Sequence, residues 1–131
     1  MIKYFSNYKI IFYSINFCLI ILYLFPGSLI GLIIYNNKTI QPQITPNFLI
    51  SSNHFYIFIL ISIVGFLTFK NEKQIKNLII FLISLSIILE IFHLFIPERS
   101  FQLSDLFGNF LGVVVVIFVR KLINKYGLSK K

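Results

Sequence analysis

The chain has only four acidic residues, one cysteine, and neither alanine nor tryptophan in its 131 residues. A single cysteine, Cys18, excludes a disulfide scaffold. Charged residues make up 12% of the chain, against about 25% in soluble domains. A soluble fold of this size needs polar groups to cover its surface, and this chain has too few. Intrinsic disorder is excluded from the other side, because 57% of the residues are hydrophobic. The chain also lacks a P-loop and the G-x-G-x-x-G, G-x-S-x-G and H-E-x-x-H motifs. No internal repeat or low-complexity segment appears.

What is present is apolar sequence in long runs, with a mean hydropathy of +0.87. A membrane-spanning helix needs about 20 mostly apolar residues. Four stretches meet this: Ile10–Pro26, Asn53–Phe69, Asn77–Ile96 and Ser104–Leu122. They predict an all-α, four-helix integral membrane bundle forming one domain over residues 1–131. Pro26-Gly27 ends the first run, and the apolar tail Leu29–Tyr35 reads as a kinked continuation or an interfacial segment. Residues 36–52 hold Pro42 and Pro46 and read as an irregular loop. Cys18 reads as a small apolar filler.

The net charge of +8 would point to nucleic acid in a soluble protein. Here the basic residues sit at the ends of the apolar runs, which is a topology signal. With the N-terminus in the cytoplasm, Lys3, Lys9, Lys70, Lys73, Lys76, Arg120, Lys121, Lys125, Lys130 and Lys131 all fall inside. Only Lys38 and Arg99 fall outside. The expected orientation is therefore N-in/C-in, with membrane lipids as partners and no nucleic acid. Tyr4, Tyr8, Tyr35 and Tyr126 fit interfacial anchoring.

That orientation gathers the polar residues of the spans at the outer side. His54 opens the second span. Glu90 lies about 10 Å below the outer end of the third, with His93 one turn higher on the same face. Asp105 and Asn109 begin the fourth, and Arg99 lies in the turn between. A charged group within a span normally faces a cavity or a partner, so Glu90 is the strongest candidate. Arg99 is expected to bind an anion or pair with Glu90, and Glu98 to be solvated. Ser104 is the expected N-cap of the last helix, with Asp105 favoured by the helix dipole. Gly108 and Gly112 form a G-x-x-x-G, a spacing that lets helix backbones approach closely. His54, Glu90, His93 and Asp105 could supply metal ligands on paper, but no spacing motif supports a metal or any cofactor, and none is expected.

The segment from Glu90 through His93, Pro97, Arg99, Ser104-Asp105 and Asn109 to Gly112 resembles the VanZ-like family. The family pattern is Glu-x-x-Gln, an apolar pair and Pro, then Arg, Ser and Asp, then Asn-x-x-Gly. His54-Phe55 resembles its His-Phe. The chain departs at His93 for Gln, at Ile50-Ser51 for Asp-Lys, at Phe58 for Tyr and at Val116 for Gly. The family is named for a member linked to teicoplanin resistance. The resemblance implies a small, multi-pass protein of the bacterial cytoplasmic (inner) membrane acting at the cell envelope.

The expected function is an outward-facing polar pocket that binds an anionic envelope lipid, a precursor or a glycopeptide group. His54, Glu90, His93, Arg99, Asp105 and Asn109 would form the site, with Gly108 and Gly112 closing the helices. One alternative is an intramembrane enzyme on a lipid-linked substrate, with Glu90 as general acid or base. It ranks lower because no nucleophile is evident. Another is a structural or accessory membrane protein.

Overall fold

Proline, glycine and asparagine mark several of the helix boundaries. The computed structural model describes residues 2–127, with side chains described over 7–127. The side chains of Lys3 and Tyr4, and all of Lys130 and Lys131, lie outside the described residues. The fold is all-α: α1 (Ile2–Leu24), α2 (Leu29–Tyr35), α3 (Ser52–Thr68), α4 (Glu72–Phe92) and α5 (Leu103–Lys125). No strand occurs among the described residues.

Pro26 disfavours helical dihedrals at Phe25, and Gly27 turns the chain back with φ at 79°. Ser28 then opens α2, its Oγ accepting the Gly31 N–H at 3.0 Å. The Leu29–Tyr35 run is therefore a separate short helix, because Pro26-Gly27 breaks α1 instead of bending it. Asn71 Oδ1 accepts the Lys73 N–H at 2.9 Å and starts α4 at Glu72, ahead of the expected Asn77. Glu72 then meets the positive end of the helix dipole.

Ser104 is not the cap of α5. Helix α5 begins at Leu103, and the carbonyl of Gln102 accepts the N–H groups of Asp105 and Leu106 at 3.1 and 3.0 Å. Gln102 takes the cap position because its own N–H is held by Glu90. Asp105 does lie in the first turn.

Helix α3 packs most extensively against α5 and next against α1. The buried core joins Leu19 of α1, Phe58 and Ile61 of α3, Leu82 and Leu89 of α4 and Val113 of α5. The outer surface stays apolar: Phe17 is 66% exposed, Ile80 56% and Phe118 61%. Cys18 lies exposed as well and fills no core space. An apolar exterior this extensive fits contact with lipid. Among the described residues, α1, α4 and α5 are long and apolar enough to cross a membrane. Helix α3 is apolar but shorter, at 17 residues.

Loop 36–51 is tied down at the start of α3. Asn53 donates to the Pro42 carbonyl at 2.6 Å and accepts the Ile44 N–H at 2.9 Å. Ser52 Oγ donates to the Thr45 carbonyl at 2.6 Å. The Ser51 N–H donates to the Ser104 carbonyl at 3.0 Å, which joins the starts of α3 and α5.

Candidate functional site

The end of α1, the start of α3, the end of α4 and the start of α5 meet at one end of the bundle. Asn109 of α5 is its hub and is fully buried. The Ser86 carbonyl can only accept, so it takes the amide nitrogen, Nδ2, at 3.2 Å. Asn109 Oδ1 then accepts two bonds, from the Tyr23 hydroxyl at 2.6 Å and from His54 Nδ1 at 3.1 Å. Both of its lone pairs are used. His54 must carry a proton on Nδ1 to make this bond, so the Nε2 of a neutral ring is left with a free lone pair. Nε2 faces Asp105 Oδ2 at 3.6 Å, beyond hydrogen-bond range.

Glu90 is also fully buried. Its Oε1 accepts the Gln102 N–H at 2.9 Å. Its Oε2 lies 3.2 Å from His93 Nδ1, close enough for an ion pair but not aligned for a hydrogen bond. Oε2 has no hydrogen-bond partner among the described residues. His93 Nε2 donates to the Tyr23 carbonyl at 3.0 Å. The Tyr23 ring stacks on His93, with centroids 5.7 Å apart, and tilts against His54 at 4.9 Å.

Arg99 does not pair with Glu90. Its Nη2 donates to the Leu22 carbonyl at 2.9 Å and its Nε to the Phe25 carbonyl at 3.2 Å. The last carbonyls of a helix have no partner within it, and a cation suits the negative end of the α1 dipole. These carbonyls are nearer than Glu90, and they decide the contact. Burial pulls the Arg99 guanidinium below its usual range, while Tyr23, Asp105 and Glu90 act to restore it. Glu98 is not simply solvated: it pairs with Lys38 at 2.7 Å, both about half exposed. Exposed pairs of this kind contribute about 0–1 kcal/mol.

Two cavities meet at Arg99. One of about 300 Å³ has a largely apolar lining, including Leu19, Leu22, Ile30 and Ile57, with His54 and Arg99 in its wall. The other, about 270 Å³, is lined by polar groups, among them Lys38, Thr39 and Glu98, again with Arg99.

The structure thus brings His54, Glu90, His93, Asp105 and Asn109 into one cluster, with Arg99 at its edge. Gly108 and Gly112 place α5 against α3. A Cβ at Gly108 would sit 2.7 Å from the Ser51 carbonyl oxygen and 3.1 Å from His54 Cβ. The sequence reading missed Tyr23, which touches both histidines and Asn109. A hydroxyl-bearing ring near the end of an otherwise apolar run was the available signal. No protein-family model, curated protein or solved structure matches the chain.

Proposed function

We propose that the chain is a VanZ-like membrane protein that binds the anionic group of an envelope amphiphile: a lipid, a lipid-linked precursor or a glycopeptide group. One observation carries the reading. Arg99 stands between an apolar cavity and a polar one, which suits a ligand with a greasy part and a charged part. Two of its nitrogens hold α1. Nη1 makes no hydrogen bond among the described residues, leaving it for an anion.

In this reading α1, α3, α4 and α5 all cross the inner membrane. The cationic ends set the N-terminus and C-terminus in the cytoplasm, and the Asn109 cluster faces outward. Helix α3 is about 26 Å long at 1.5 Å per residue, near the lower limit for a span. Topology is tested by replacing Cys18 with Ser and placing single cysteines at Ser100 and Lys73. Ser100→Cys is expected to react with an impermeant maleimide in intact cells, and Lys73→Cys only after lysis. The reverse pattern would remove the outward-facing site.

Ligand binding is tested on purified protein in neutral detergent, with phosphatidylglycerol against phosphatidylcholine by native mass spectrometry. Wild type is expected to prefer the anionic lipid. Arg99→Gln keeps an N–H donor near the Nε position, which faces the Phe25 carbonyl, but loses the charge. It is expected to weaken that preference at least tenfold, while Arg99→Lys retains most of it. Equal preference in wild type and Arg99→Gln would refute the assignment.

A further inference from the structure

We infer that His54, Glu90 and Asp105 form a binding site for one divalent transition-metal ion. Each residue offers one ligand atom, and the three atoms lie within 4.8 Å of one another. The residues come from α3, α4 and α5, so no local spacing in the sequence reveals them.

Three features favour a metal over a simple ion-pair cluster. First, Asn109 takes the Nδ1 proton of His54, so in a neutral ring Nε2 presents its lone pair towards the carboxylates. A hydrogen bond on the other ring nitrogen is how metal-binding histidines are oriented. Second, Nε2 and Asp105 Oδ2 are 3.6 Å apart. That is too long for a hydrogen bond. It is close to the roughly 3.4 Å between neighbouring ligands on a tetrahedral metal with bonds near 2.1 Å. Third, Glu90 is fully buried and its Oε2, although 3.2 Å from His93 Nδ1, has no hydrogen-bond partner among the described residues. A buried carboxylate oxygen normally has one.

The ligand set names the ion class. One imidazole nitrogen with two carboxylate oxygens suits zinc or manganese, whereas calcium and magnesium take oxygen alone. The ligand atoms, up to 4.8 Å apart, must close by up to about 1.4 Å to reach that tetrahedral spacing. Three protein ligands leave the metal able to take a further one, and His54 also lines the apolar cavity. The rival is a metal-free cluster in which His93 and Arg99 neutralise the two carboxylates.

The test uses the untagged full-length chain in detergent, stripped with chelator and reloaded with zinc. The chain has only two histidines, His54 and His93, so background binding is small. Elemental analysis is expected to find one zinc per chain. Cobalt in its place is expected to give visible absorption bands of a low-coordinate site. Asp105→Asn is expected to weaken zinc at least tenfold while the protein stays monodisperse, because Asp105 is not part of the Asn109 hydrogen bonds. His54→Ala should abolish the cobalt bands. A wild-type chain that takes up no zinc overturns the site whether or not any variant folds. Asp105→Asn protein that binds zinc as tightly as wild type overturns it equally. Neither readout depends on lipid binding.

Discussion

Gly112→Ala is expected to destabilise the purified protein by about 1–3 kcal/mol, the usual cost of forcing atoms into a packed interface. A Cβ at Gly112 would lie 2.7 Å from the Phe55 carbonyl oxygen, 2.8 Å from Phe58 Cβ and 3.1 Å from the Ile59 nitrogen. Two of these are backbone atoms of α3, and the third is bonded directly to its backbone. None can rotate away. The methyl group can fit only if α5 moves off α3, and this is the most extensive helix contact in the fold.

The sign of the effect makes the experiment informative. In an unconstrained helix, replacing Gly by Ala gains about 1 kcal/mol. A net loss at Gly112 therefore reports the interface and not helix propensity. Val115→Ala, at a partly exposed position on the same helix, is the control and should change little. The measurement is thermal unfolding in detergent followed by circular dichroism. Wild-type stability in Gly112→Ala would mean that α3 and α5 are not in backbone contact there. Gly108→Ala should act similarly and also push on His54, whose Cβ is 3.1 Å from the added group.

The helical class and the region of the site were legible in the sequence for a simple reason. Apolar runs long enough to span a bilayer are hard to mistake, and polar groups within them are too costly to be scattered at random. What could not be read was the bonding within the site. Leu22, Phe25 and Ser86 contribute backbone carbonyls, which every residue type carries, so their identities signal nothing. Of the two roles expected for Arg99, pairing with Glu90 rested on the attraction of opposite charges. The free carbonyls at the end of α1 won, since breaking α1 at Pro26 put them beside the guanidinium. Ser104 had the right residue type for a cap, but tertiary bonding of the Gln102 N–H to Glu90 moved the helix start. The glycine spacing signalled close approach without naming the partner helix, which the packing of α3 supplies.

Asn109→Leu is expected to cost about 2–3 kcal/mol, with a coupling to Tyr23 that locates the loss. Leucine has the same number of side-chain heavy atoms and leaves no cavity, its greater bulk adding to the loss, but three bonds disappear: to Ser86, Tyr23 and His54. At about 1 kcal/mol per net hydrogen bond the loss is about 3 kcal/mol. Within a membrane such bonds average about 0.6 kcal/mol, which gives a lower bound near 2. Tyr23→Phe alone removes one bond and should cost about 1 kcal/mol. In the Asn109→Leu background the hydroxyl has already lost its acceptor, so the same change should cost almost nothing. The predicted interaction energy is therefore about 1 kcal/mol, measurable by a double-mutant cycle in detergent. Additive losses would mean that the Tyr23 hydroxyl does not bond to Asn109. The cluster would then lose the bond that ties α1 to α5, and the fixed protonation of His54 would rest on Asn109 and Ser86 alone.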